Sequence, residues 1–255
     1  MHLVLFPQEA LVLYFTAQGL VCGIEKYAFT EQAAFIRDFS ASFPDHDKLR
    51  LRIFYHGADF TLVPAHLAGE EGNKTFLEAT CGPQENHVLR SDRVSSWSLQ
   101  LLYSLPQELL AALPKHWDVE FWHGAFTGLQ YTGEEKRKML KEELVLISYP
   151  GFMYIAALGN QRLLSFNRYE INSWTEITQY ALGVAEHLNF DRFMCRCSFI
   201  GNRQALSIDQ NWGAQYFKNF IIDPIKPSLR LHPDLQLDML MLPLEGLSNT
   251  KPKKP

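Results

Sequence analysis

The chain has few cysteines, little net charge and no long hydrophobic run. Its 255 residues include only four cysteines, Cys22, Cys81, Cys195 and Cys197, which are too sparse for a disulfide framework, so reduced thiols are expected. A formal charge of −4 gives no overall basic field, and nucleic acid is not an expected partner. No apolar run approaches the roughly 18–20 residues of a spanning helix, and no basic region precedes the apolar N-terminus. We therefore expect a cytoplasmic protein.

The common catalytic motifs are also absent. The patterns GxxxxGK[ST], GxSxG and GxGxxG do not occur, which removes the usual phosphate, hydrolase and dinucleotide signatures. A zinc site at Cys195 and Cys197 would need two further ligands, and there is no CxxC or HxxxH. The two cysteines flank Arg196 in a predicted strand, so their thiols point to one face. We interpret them as buried packing residues.

Two further polar residues lie at predicted strand ends, where functional groups are often placed. His123 in "FWHG" has no paired acid or nucleophile nearby in sequence, as a catalytic base would need. Asp59 is reminiscent of a two-metal nuclease, which needs several acids, yet the opening strand has no aspartate. Neither residue predicts an activity.

What the sequence does contain is an internal repeat. "LVLFPQEALVLYF" (3–15) and "LVLISYPGFMYIA" (144–156) both read as two short strands joined by a tight connection, and they align without a gap at an offset of 141. Each pair precedes a third strand, a helix and a fourth strand that ends in glycine, over 19–29, 31–43 and 48–57 in the first half and 161–169, 173–188 and 192–201 in the second. The pattern predicts a structural duplication with a mixed sheet and helices in each half.

The repeat also predicts the domain limits. We expect a first subdomain over 1–132 and a second over 143–247, joined by the charged segment 131–143. The basic, proline-containing tail 248–255 cannot join a core and is expected to be solvated.

Helix starts can be predicted from capping residues. Thr30 is a candidate cap for the first helix, in which Ile36, Phe39 and Phe43 share one face. Ser173 and Glu176 have the spacing of a capping box, ahead of an apolar stripe of Ile177, Tyr180, Ala181, Val184 and Leu188. Pro106 is expected at the first position of a short helix.

Several segments carry a resemblance to a known family. They are "HLVLFPQEALVLYF" (2–15), "FTLVPAHL" (60–67), "LLSFNRYEINSWTEITQYALGVAEHLNF" (163–190), "FIGN" (199–202) and "YFKNF" (216–220). Up to about residue 245 the chain resembles an uncharacterised bacterial family, a domain of unknown function whose members look like degenerate actin-like ATPases. The resemblance implies a mixed α/β (α+β) fold with two similar ribonuclease-H-like subdomains, each a mixed five-stranded sheet with helices.

The resemblance also implies where a nucleotide would bind. In active actin-like proteins the turn between the first two strands of each half holds phosphate through backbone amides, and an acid there positions Mg²⁺. The corresponding candidate cleft positions are Pro7, Gln8 and Glu9 in the first turn, Tyr149, Pro150 and Gly151 in the second, and Gly201 and Asn202 near the place of an adenosine-binding glycine pair.

These residues lack the groups that hold phosphate. Both turns contain proline, which has no amide to donate, and Glu9 is their only acid. Gly201 is a single glycine and is interpreted as a turn residue. We therefore expect no catalytic residue, cofactor or metal. The prediction is a non-catalytic protein that binds an unknown protein or peptide partner, by analogy in the cleft between the halves. The alternative is nucleotide or small-ligand binding there without efficient turnover.

Overall fold

The computed structural model describes residues 1–16, 21–43, 49–83, 85–133, 141–201 and 208–222. These residues form two compact units, with the division between Phe126 and Thr127. The predicted limits 1–132 and 143–247 stay predictions, and the tail 248–255 lies outside the described residues. Among the described helices, none has the length and apolar character needed to cross a membrane.

The first unit contains a five-stranded and a three-stranded sheet. Its elements are β1 (His2–Leu5), β2 (Glu9–Phe15), β3 (Val21–Ala28), α1 (Gln32–Ala41), β4 (Arg50–Tyr55), β5 (Phe60–Pro64), α2 (Glu70–Cys81), β6 (His87–Val94), β7 (Leu99–Pro106), α3 (Gln107–Ala111) and β8 (Asp118–His123), followed by α4 (Gly124–Tyr131) across the division. The larger sheet has the order β3-β2-β1-β4-β8, with the first three strands antiparallel and the last two parallel to β1. The smaller sheet is antiparallel, in the order β5-β7-β6.

The second unit repeats the larger sheet. Its elements are β9 (Glu142–Tyr149), β10 (Phe152–Gly159), β11 (Arg162–Glu170), α5 (Trp174–His187), β12 (Arg196–Gly201), α6 (Gln210–Ala214) and β13 (Asn219–Ile222). The strand order β11-β10-β9-β12-β13 and the strand directions match those of the first unit. The predicted fold of two similar five-stranded mixed sheets with helices is thereby confirmed.

The duplication extends to strand register. Leu3 pairs with Ile53 in the first unit, and Leu144, at the predicted offset of 141, pairs with Cys197 in the second. The third strand of each unit also has a register shift of one residue at the equivalent place. The extra residue of this bulge is Cys22 in β3 and Leu164 in β11. Two matching bulges are strong evidence for a duplicated unit, because bulges are retained as specific features of a fold.

Each unit has its own apolar core on one face of its larger sheet. In the first unit α1 buries Phe35, Ile36 and Phe39 against β1, β2 and β4. In the second unit α5 covers β9, β10 and β12 and buries Ile177, Ala181 and Ala185. Tyr180, which was predicted for the buried stripe, is 36% exposed instead. The buried residues of α5 extend along the helix to Ala185 and do not include Tyr180.

The capping predictions had different outcomes. The Ser173–Glu176 capping box is present, with both reciprocal hydrogen bonds. The prediction for Thr30 was wrong: Glu31 is the N-cap of α1, and its side chain makes no capping hydrogen bond. Pro106 ends β7 and precedes α3 as its N-cap instead of being its first helical residue.

The start of β12 also differs from the prediction. The strand begins at Arg196 and not at residue 192, because residues 191–195 form a turn. The carboxylate of Asp191 accepts a hydrogen bond from the amide of Phe193 at 2.9 Å, and its carbonyl accepts one from the amide of Cys195 at 2.6 Å. These bonds hold the chain in a turn where the apolar sequence alone suggested strand. Cys195 therefore lies just before the strand.

Candidate functional site

The first hairpin turn consists of Pro7 and Gln8, and several polar groups at the turn are engaged in hydrogen bonds or an ion pair. The amide of Phe6 donates to the carbonyl of Glu9 at 2.9 Å, and Pro7 has no amide. The Glu9 carboxylate is paired with Lys26 at 2.6 Å. Its other oxygen, Oε1, is buried without a hydrogen-bond partner among the described residues. One carboxylate that is already neutralised by a lysine is a poor Mg²⁺ site, because Mg²⁺ favours a nearly octahedral set of oxygen ligands.

The second turn consists of Pro150 and Gly151. Gly151 has φ +77°, which favours glycine, and the space where its Cβ would lie is open. Pro150 lies 143 residues after Pro7. This separation is two residues longer than the offset of 141 that aligns the opening strands. The reason is the greater length of β9 compared with β1. This turn contains no carboxylate and can offer one amide, that of Gly151, to a phosphate.

Tyr149 and Gly201 are packing residues in the second unit. Tyr149 is 1% exposed and lies 5.3 Å from Phe152 between ring centroids, and burial raises the pKa of its phenol. Gly201 is the last residue of β12 and has φ +107°. A Cβ there would lie 2.1 Å from the carbonyl oxygen of Ser148, so only glycine allows the two strands to approach. Asn202 lies outside the described residues.

The metal-binding candidates are separated or buried. Among the described residues, no group of three or more His, Cys, Asp or Glu side chains is placed to hold a metal ion. Cys195 and Cys197 are both buried in the core of the second unit, as expected for packing cysteines. Burial raises the pKa of Cys195 to about 12 and also raises that of Cys197, so both stay protonated thiols at neutral pH. A metal ligand would have to be a thiolate.

A buried polar cluster in the first unit joins its two sheets and contains His123. The Asp92 carboxylate accepts a hydrogen bond from the backbone amide of His123 at 3.1 Å, and the Tyr103 hydroxyl lies 3.5 Å from its other oxygen. The His123 ring contacts the Gly57 carbonyl through Nε2 at 3.2 Å and accepts from the Ala125 amide through Nδ1 at 3.2 Å. This pattern fits a neutral imidazole with its proton on Nε2.

Burial raises the pKa of Asp92 to about 6. The hydrogen bonds from His123 and Tyr103 act in the opposite direction and lower this pKa. The acid that contacts His123 is Asp92, which lies 31 residues away on β6, so no local sequence pattern indicated the pair. The cluster links β6, β7 and β8; His123 is fully buried and Asp92 is partly buried. Its evident role is to fix the smaller sheet against the larger one. Asp59 directly precedes β5 and is not part of these hydrogen bonds.

Solved structures with similar folds include a protein described as actin-like. One is a protein of unknown function with an actin-like ATPase fold from Bacteroides thetaiotaomicron VPI-5482, with a TM-score of 0.80, 12% identity, and coverage of 98% of this chain and 95% of that one. A chain of the PilM-PilN type IV pilus biogenesis complex has a TM-score of 0.57, 12% identity, and 86% coverage of both chains. The cytoplasmic domain of EpsL, an inner membrane component of the type II secretion system of Vibrio cholerae, has a TM-score of 0.50, 9% identity, and 98% and 94% coverage. The chain therefore has an actin-like ATPase fold.

The family follows from the sequence match. A model for the family described as "Protein of unknown function (DUF3822)" matches residues 10–220, and the chain belongs to this family. No curated protein sequence matches the chain. The resemblance to a domain of unknown function with an actin-like fold is confirmed.

Proposed function

We propose that this chain is a non-catalytic actin-like protein that binds another protein or a peptide. The observation that carries the proposal is the composition and bonding of the first hairpin turn. Pro7 has no amide to donate, the Phe6 amide is used within the hairpin, and Lys26 neutralises Glu9. A working phosphoryl-transfer site depends on free backbone amides and metal-bound carboxylates around the phosphates.

Two structural neighbours support a role in assemblies, by analogy of fold alone. One is a chain of the PilM-PilN complex, and the other is an inner membrane component of a secretion system. Because fold does not fix function, these likenesses motivate the partner-binding proposal without identifying the partner. The cleft location and the cytoplasmic compartment expected from the sequence stay predictions.

The proposal is tested by finding the partner and rebuilding the complex. The tagged chain is expressed in its source organism and cross-linked, and proteins recovered with it are identified by mass spectrometry. We expect one protein to be recovered in near-stoichiometric amount and to bind the purified chain in calorimetry. A chain that releases phosphate from Mg²⁺-ATP above the buffer background, and loses this activity on Glu9→Gln, would instead be an enzyme.

A further inference from the structure

A groove in the second unit lies between the ends of three strands and the C-terminal end of α5. It has a volume of about 550 Å³, which is within the range of ~300–1,000 Å³ typical of ligand sites. Its apolar floor is formed by Leu164, Leu188 and Phe190, and its rim carries Glu142 and Arg162. These residues belong to β9, β11 and the segment that follows α5, all within one unit.

The β-bulge in β11 places an exposed apolar side chain in this groove. Leu163 pairs with Leu158 and Ser165 pairs with Ala157, which leaves Leu164 as the extra residue. Leu164 is 48% exposed. Bulges often re-aim a side chain beside a functional site. The matching bulge in the first unit carries Cys22, so the fold does not require leucine at this position.

A glycine makes room for the floor of the groove. If Gly159 had a Cβ, that atom would lie 2.7 Å from the Leu164 side chain and 3.7 Å from the Phe190 ring. The shorter distance is below the range of normal contacts, so a larger residue would displace Leu164. Glycine at this position of β10 therefore leaves room for the Leu164 side chain in its present place.

The rim carries one charge of each sign on the two sides of this glycine. Glu142 and Arg162 both pair with Gly159 in register, one from each neighbouring strand. Directly opposite residues share one face of a sheet, and the two backbones are about 10 Å apart across two strand spacings. Within the described part of the chain neither side chain has an ion-pair partner. By contrast, Arg168 and Arg196 of the same sheet are each paired with a glutamate.

We propose that this groove binds an extended peptide segment of a partner protein. The segment has a large apolar side chain that packs on Leu164, Leu188 and Phe190. An acidic residue of the peptide pairs with Arg162 and a basic residue with Glu142. Because an extended chain advances about 3.3 Å per residue, the two charged residues are about three positions apart, with the apolar residue between them. This inference rests on the proposed protein-binding function and gives it a site and a ligand chemistry.

The probe is a displayed library of random nonapeptides, selected on the purified chain. The test variants are Leu164→Asp and the double exchange Glu142→Arg with Arg162→Glu. Leu67→Asp is the matched control, because Leu67 is similarly exposed, at 54%, and lies in the first unit. Thermal unfolding of every variant verifies that it is folded. The affinity of the best selected peptide is then measured by fluorescence anisotropy.

We expect enrichment of peptides in which an apolar residue lies between an acidic and a basic residue. Leu67→Asp should bind them normally, Leu164→Asp should bind about tenfold more weakly or worse, and the double exchange should prefer peptides with the charges exchanged. The inference is overturned if no peptide is enriched, or if Leu164→Asp binds as tightly as the unchanged chain. In the second case the chain would still be a peptide-binding protein, and only this location would fail.

Discussion

Two arginines at equivalent positions show how the repeats have diverged at the scale of single residues. Arg52 on β4 donates to Glu120 on β8 at 2.6 Å, and both side chains are partly exposed. Arg196 on β12 instead pairs with Glu143 on β9, through two hydrogen bonds of 3.1 and 3.0 Å. Glu143 is fully buried and also accepts from Ser198 at 2.5 Å. The two equivalent arginines are therefore neutralised from different neighbouring strands, Arg52 from β8 and Arg196 from β9.

This difference predicts unequal costs of removing the two glutamates. Glu143→Ala should lower the free energy of unfolding by about 3–5 kcal/mol, because it leaves a partly buried guanidinium without its partner. Glu120→Ala should lower the free energy of unfolding by about 1 kcal/mol or less, since solvent screens the ion pair between Glu120 and Arg52. Urea unfolding of both variants measures the two values. Equal losses would show that burial of Glu143 does not govern the energy of its pair.

The buried carboxyl group of Asp92 predicts a pH-dependent stability. Its folded pKa of about 6 lies above the ordinary value of 3.8 for an aspartate, because burial penalises the charged form. The folded state therefore binds the proton more tightly, and the stability contributed by this group falls as the pH rises from about 4 through 6. Asp92→Asn removes this penalty and retains an oxygen acceptor for the His123 amide.

The test compares Asp92→Asn with the unchanged chain at each pH, so that other titrating groups cancel. We expect the variant to gain about 2 kcal/mol in relative free energy of unfolding between pH 4 and pH 7. A constant difference across this pH range for Asp92→Asn would contradict a raised pKa.

At the scale of elements, the accuracy of the sequence predictions followed the strength of local signals. The hairpin turns were found because proline and glycine mark them, and α5 was found because Ser173 and Glu176 satisfy backbone amides at its start. β6 was missed, since "HVLRSDRV" lacks the regular alternation of a half-buried strand. α4 was also missed, because it follows β8 directly and contains two glycines.

The capping box predicts a specific cost at the start of α5. Ser173→Ala removes the side-chain acceptor for the Glu176 amide and should lower the free energy of unfolding by about 1 kcal/mol. Ser95→Ala, in the exposed turn between β6 and β7, is the matched control and should be nearly neutral. Chemical denaturation of both variants measures these changes in the free energy of unfolding. A neutral Ser173→Ala would mean that packing of α5, and not its cap, fixes where the helix begins.

At the scale of the whole molecule, the duplication was predictable and the groove was not. The repeat leaves a signal in the sequence because both halves keep the same strand order and register. The groove combines residues from 142 to 190, and its shape depends on a bulge and on the end of a helix. Such a site has no local pattern, because tertiary packing brings its residues together. The proline turns were visible in the sequence, and the structure adds that Lys26 neutralises Glu9.

Calorimetry with Mg²⁺-ATP tests most directly our proposal that this actin-like protein is non-catalytic and that its two hairpin turns do not hold nucleotide. A parallel thermal-shift measurement is sensitive to the same event, since ligand at ~100 times its dissociation constant stabilises a fold by about 2.7 kcal/mol. We predict no binding heat and no shift up to millimolar nucleotide. Saturable heat together with a rise in melting temperature would contradict the claim, and would mean that the turns at Pro7 and Pro150 still hold phosphate.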